Sequence, residues 1–104
     1  MLKVIAHVHF DPTRKEQLLE IYDDFVPKVL AEDGCHQYEP HEDFPTELPN
    51  QMVEECRILV LEQWRDGDAF QAHLQAPHVI DFRKAIQGIV TEVKVQVLGS
   101  LEID

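Results

Sequence analysis

Arg57-Ile58-Leu59-Val60-Leu61-Glu62-Gln63-Trp64 carries the strongest fold signal in the chain. Four apolar side chains stand in an unbroken row, and the turn-forming Arg65-Asp66-Gly67-Asp68 follows. A short apolar run bounded by such a turn reads as a strand, here with apolar side chains sent to both faces of its sheet. A strand of that kind needs cover on each side, and the rest of the chain has to supply it.

Upstream, residues 2–10 alternate Val4, Ala6, Val8 and Phe10 against Ile5, His7 and His9, the period of a strand. Asp11-Pro12-Thr13 closes it. Asp11 suits a cap, Pro12 the first helical position, and Thr13 with Glu16 a capping box. Leu18, Leu19, Tyr22, Phe25, Val26, Val29 and Leu30 then recur every three or four residues. That predicts an amphipathic helix, kinked by Pro27 near Asp23-Asp24 and closed by Gly34 as a left-handed cap. Residues 36–41 read as a second strand, and residues 42–55, with Pro45, Pro49 and several acids, as a loop. Beyond the third strand, Asp66 or Asp68 caps a short helix that reaches Leu74. Pro77 opens another helical piece with Val79, Phe82, Ala85, Ile86 and Ile89 on one face, and residues 91–98 alternate Val93, Val95 and Val97 as a last strand. The order βαββαβ is that of a ferredoxin-like α+β fold, a single domain over residues 1–104. Its helices cover one face of the sheet. The other, with contributions from the first and last strands, is expected to be hidden by a second copy of the chain, making a homodimer.

Composition narrows the function. The 104 residues are 44% hydrophobic and 28% charged, with nine Lys and Arg against twenty Asp and Glu, for a net charge of −11. Such a surface repels phosphate backbones and anionic lipid, so neither nucleic acid nor membrane is an expected partner. No apolar run approaches the ~18 residues of a membrane span. The N-terminus, soon interrupted by His7 and His9, does not read as an export signal, which points to the cytoplasm. Cys35 and Cys56 would open consecutive antiparallel strands at opposite ends, too far apart for a disulfide, and are expected as free thiols.

Several chemistries lack their residues. There is no Gly-x-Gly-x-x-Gly or P-loop to seat a nucleotide, and Ser100 is the only serine. His7 and His9 share one strand face, but no His-x-x-x-His or Cys-x-x-Cys accompanies them, so no metal site is expected. The remaining stock is aromatic and imidazole: His36, His41, His73 and His78, with Tyr38, Trp64, Phe70 and Phe82.

Two segments carry a family resemblance. One is Glu32-Asp33-Gly34-Cys35-His36-Gln37-Tyr38-Glu39; the other is Glu62-Gln63-Trp64-Arg65-Asp66 followed by Ala69, His73-Leu74-Gln75 and Ala76-Pro77-His78. Together they resemble the antibiotic-biosynthesis monooxygenases, and within them the small quinol monooxygenases, over nearly the whole chain. The resemblance implies a dimeric α+β barrel in which two sheets meet face to face. In the polyketide-modifying branch, the pocket His, Trp and Arg would correspond to His41, Trp64 and Arg83, while its Asn and Tyr fall on Val60 and Phe70. The Asn, Trp and His of the haem-degrading branch fall on Ala6, His73 and Arg83, so that chemistry is disfavoured.

What the quinol resemblance implies needs little apparatus: an apolar slot for a flat ring, a base for a phenolic proton, and exclusion of water. A phenolate surrenders an electron to oxygen far more readily than a phenol does, so no cofactor is expected beyond the substrate and O2. His41, His73 and Trp64 are the candidate catalytic residues, and Tyr38, Phe70, Phe82, Arg83 and His36 the candidate substrate-binding ones. His36 and Tyr38 share one face of a regular strand, and His41 takes the other, so the pocket draws on one set or the other. Isomerisation of a small oxygenated metabolite, or quinone binding by a dimer without turnover, are the alternatives.

Overall fold

A computed structural model describes residues 1–103. Strand β1 (Leu2–Phe10) leads through a 3-10 turn at Pro12–Arg14 into helix α1 (Lys15–Leu30). Strands β2 (Cys35–His41) and β3 (Arg57–Trp64) follow, then helices α2 (Gly67–Leu74) and α3 (Pro77–Ala85), and strand β4 (Val90–Leu98). The strands form one sheet in the order β2-β3-β1-β4, every neighbouring pair antiparallel. This is the expected ferredoxin-like α+β fold. Among the described residues no helix is long and apolar enough to cross a membrane.

The register separates the two faces. Val4, Ala6 and Val8 of β1 lie opposite Glu62, Val60 and Ile58 of β3, and on their other side opposite Val97, Val95 and Val93 of β4. This set faces the helices. Leu18, Tyr22, Phe25 and Val29 of α1 bury themselves against it, with Trp64 and Ile89 fully enclosed. The open face carries Ile5, His7, Leu59 and Leu61 between the polar Lys3, Gln63, Lys94 and Gln96.

In the single chain, Leu59 and Leu61 of β3 stay half-exposed on the open face, the side expected to be covered by a second copy. Two expectations are corrected. The valines of β4 do not join that face. Their pairing with Val4, Ala6 and Val8 puts them on the helix side, where Val93, Val95 and Val97 remain 49%, 52% and 51% exposed at the sheet edge. The Thr13–Glu16 capping box does not form at the start of α1. The Thr13 hydroxyl instead donates to Asp11 Oδ1 at 2.8 Å, beside the Thr13 backbone N–H at 3.0 Å.

Gly34 stands at φ +82°, in the turn beyond Ala31 rather than at the helix end itself. A Cβ there would sit 2.6 Å from the Ala69 Cβ, so only glycine lets this turn pass under α2. The two cysteines are free, as their placement at opposite ends of β3 requires. Arg57, buried at the start of β3, binds both carboxylate oxygens of Asp43 at 3.0 Å and Glu54 at 3.1 Å, pinning the long β2–β3 loop to the sheet.

Candidate active site

Between the helix-facing side of the sheet and the three helices lies a cavity of about 250 Å³. Val4, Tyr38 and Glu62 form its floor; Phe25, Phe70, His73 and Phe82 form its walls. Val93 and Val95 border it where the helices stop short of β4.

Its central polar group is His73. Asp66 caps α2 by accepting the Ala69 backbone N–H at 2.9 Å, and the ring of His73 projects from the last turn of that short helix. Its Nδ1 lies 2.8 Å from Glu32 Oε2, and His78 Nε2, from the first turn of α3, lies 2.8 Å from the same oxygen. A carboxylate only accepts, so both imidazoles present N–H to Glu32. The free nitrogen of His73 is then Nε2, which has no hydrogen-bond partner among the described residues. Burial holds the His73 pKa below the usual histidine range, against the opposing pull of Glu32 and with a small further push from His78 and Arg83. The ring is therefore neutral at neutral pH, with an open lone pair.

Aromatic rings fix that imidazole in place. Trp64, fully buried, lies 4.6 Å from it, Tyr38 5.9 Å and Phe70 6.2 Å, centroid to centroid. Phe25 stacks on Phe82 at 4.0 Å and meets Tyr38 edge-on at 5.8 Å. Desolvation holds the Tyr38 phenol protonated far above its ordinary range. The Trp64 indole N–H donates to Glu62 Oε1 at 3.0 Å. Burial pushes the Glu62 carboxyl up to about 7, opposed by that indole bond and reinforced by the charge of Glu32.

The cavity thus gathers Tyr38, Phe70, His73, Phe82 and Arg83 from the candidate set, with Trp64 behind His73. It leaves out His36 and His41. A register shift between Cys35 and Gln37 breaks the alternation on which a shared face for His36 and Tyr38 depended, and His36 is exposed. His41 pairs with Leu59 on the open face and folds back on the Glu39 carbonyl at 2.9 Å. Glu32, Glu62 and His78 were missed as site residues. For Glu62 a signal existed, a carboxyl in the alternating series Ile58, Val60, Trp64. Glu32 heads one of the two segments that carry the resemblance, but its pairing with His73 was not legible, since that partner lies 41 residues away. A wider groove of about 430 Å³ runs between α1 and α3; Glu20, Asp24, Lys28 and Asp81 line it, together with His78, whose Nε2 is already engaged by Glu32.

A small ferredoxin-like domain with an aromatic-lined pocket on the helix side of its sheet describes a class of protein, and comparison with known proteins says which. Residues 1–85 match the family described as antibiotic biosynthesis monooxygenase, and the chain belongs to that family. It is 34% identical over 100 residues to "Probable quinol monooxygenase YgiN" of Escherichia coli K12, covering 94% of this chain and 96% of that one. Among solved structures it is similar to PA3566 of Pseudomonas aeruginosa, with a TM-score of 0.78 and 28% identity over 97% of this chain and 94% of that one. It is also similar to Rv0793 of Mycobacterium tuberculosis, with a TM-score of 0.79 and 25% identity over 98% and 96%. Family and relatives support a monooxygenase-type function.

Proposed function

We propose that this protein oxidises a quinol, or a similarly electron-rich aromatic, with O2, using His73 as the base. The observation that carries this reading is the Glu32–His73 pair, with Nε2 left open in an aromatic cavity. A void of about 150 Å³ takes a benzene ring, so about 250 Å³ suits a substrate of one or two fused rings. His73 Nε2 takes the phenolic proton, and Glu32 stabilises the imidazolium that forms. The phenolate then gives electrons to O2, and oxygen adds to the ring. One hydroquinone and one O2 become one hydroxyquinone and one water: one oxygen atom enters the ring, and the other leaves as water with two of the substrate's hydrogens. The substrate supplies all the electrons, so the sum needs no outside reductant. The name of the Escherichia coli relative favours the same substrate class. Arg83 is the only Lys or Arg lining the cavity, which argues against a phosphorylated isomerase substrate.

The test is oxygen uptake by metal-free protein with 1,4-dihydroxynaphthalene, corrected for autoxidation. A rate above background that collapses in His73→Ala supports the reading. No excess over background, with saturable quinone binding retained, would leave a binding protein instead.

The reading includes a homodimer closed over the open face. Ile5, Leu59 and Leu61 form its apolar centre, and Lys3, Lys94 and Gln96 its polar margin. An apolar centre inside a polar rim is the anatomy of a protein–protein contact.

A further inference from the structure

Glu62 is an unusual residue for its position. It continues the helix-facing series of β3 between Val60 and Trp64, its cross-strand neighbours are Val4 and Tyr38, and it is only 6% exposed. A carboxyl is costly to bury unless both its oxygens are engaged. Here one is: Oε1 accepts the Trp64 indole N–H at 3.0 Å. Oε2 has no hydrogen-bond partner among the described residues, yet it is not sealed inside protein, and Glu62 lines the cavity that holds His73. Trp64 links the two groups, since its indole packs 4.6 Å from the His73 ring while donating to Glu62. One rigid side chain therefore sets the base and the free carboxyl oxygen relative to each other.

We propose that Glu62 is a second substrate-recognising group: its Oε2 accepts a hydrogen bond from the hydroxyl across the ring from the one that His73 deprotonates. The site would thereby select 1,4-dihydroxy aromatics over monophenols and monoethers. The inference rests on the quinol reading and adds to it the feature of the substrate that is read. An ionised Glu62 only accepts, so it favours a hydroxyl and repels an ether oxygen. A protonated Glu62 donates, so it accepts an ether or a quinone carbonyl equally well.

The groups that face Glu62 determine how that preference depends on pH. Cys35 and Tyr38 come from β2, Tyr22 from α1, Glu32 from the turn after it, His73 from α2 and Arg83 from α3. Burial holds the thiol and both phenols protonated and the His73 ring neutral at pH 7. With its own carboxyl raised to about 7, Glu62 changes protonation state in this range.

Anaerobic calorimetry with 1,4-dihydroxynaphthalene and 4-methoxy-1-naphthol tests the idea without turnover. At pH 8 the diol should bind about tenfold more tightly, the worth of one charge-assisted hydrogen bond, and the ratio should shrink at pH 6. In Glu62→Gln the amide oxygen keeps the Trp64 bond while the NH2 group turns a donor to the cavity, so the preference should vanish at both pH values. A ratio near one in the unmodified protein overturns the inference, and so does a ratio that survives Glu62→Gln. If neither naphthol binds at all, the quinol reading fails and this inference with it; tight binding with an unchanged ratio sinks the inference alone.

Discussion

Glu32 Oε2 lies 2.8 Å from His73 Nδ1, across 41 residues of sequence, and joins the turn after α1 to the last turn of α2. The contact fixes the tautomer of the base and raises its proton affinity against the depression that burial imposes. Loss of the charge in Glu32→Gln should make His73 a weaker base and lower kcat about ten- to a hundredfold. His73→Ala should cost ~10²–10⁴ of rate, the usual worth of a general base. His36→Ala and His41→Ala, outside the cavity, should leave the rate unchanged. Steady-state oxygen uptake separates these outcomes, and a loss in His41→Ala equal to that in His73→Ala would transfer the role to the open face.

Stability should carry opposing pH signatures from two buried groups. The folded pKa of Glu62 is raised from 4.5 to about 7, so between these values the folded chain holds a proton that the unfolded chain releases. The stability it contributes is present in full below pH 4.5 and is lost as pH rises through 7, on the order of 3 kcal/mol at most. His73 has a depressed folded pKa, so its contribution is present above 6.5 and lost as pH falls below that. Urea midpoints measured from pH 5 to pH 8 should show Glu62→Gln gaining stability relative to the unmodified protein as pH rises. Parallel curves for the two proteins would contradict the raised carboxyl.

Gly34→Ala should be among the most destabilising single changes. The position has φ +82°, which costs a residue with a Cβ about 1–2 kcal/mol. The new methyl would also lie 2.6 Å from the Ala69 Cβ, where α2 must give way. We expect a total loss of about 2–4 kcal/mol. Because Ala69 sits one turn before His73, quinol binding should weaken as well. Thermal unfolding with and without 1,4-dihydroxynaphthalene reads both effects.

Leu59→Glu should separate the proposed dimer without unfolding the chain, because Leu59 is half-exposed on the open face. Val60→Glu, at 1% exposure on the helix side, should abolish folding instead. Sedimentation at micromolar concentration should give about twice the 12.1 kDa chain mass for the unmodified protein, and the chain mass for Leu59→Glu. An unmodified protein that sediments as a monomer refutes the barrel.

The elements of this protein follow from local rules that act over a few residues. Alternation set β1, an unbroken apolar run closed by a turn set β3, spacings of three and four set α1, and Asp66 or Asp68 and Pro77 marked the starts of α2 and α3. Each of these is a matter of period or cap, so the fold was legible in the order of residues, and so was much of the cavity wall, including Tyr38, Phe70, His73 and Phe82. Whatever depends on register and on distance along the chain came from packing instead. The shift at His36 removed a histidine from the pocket, and the pairing of β4 with β1 turned its valines to the helix side. The Glu32–His73–His78 cluster formed only because Gly34 lets the turn after α1 pass beneath α2. Periodicity says which way a side chain points from its own backbone; only the packed chain brings a carboxylate to a particular imidazole and so decides which nitrogen is left free to act.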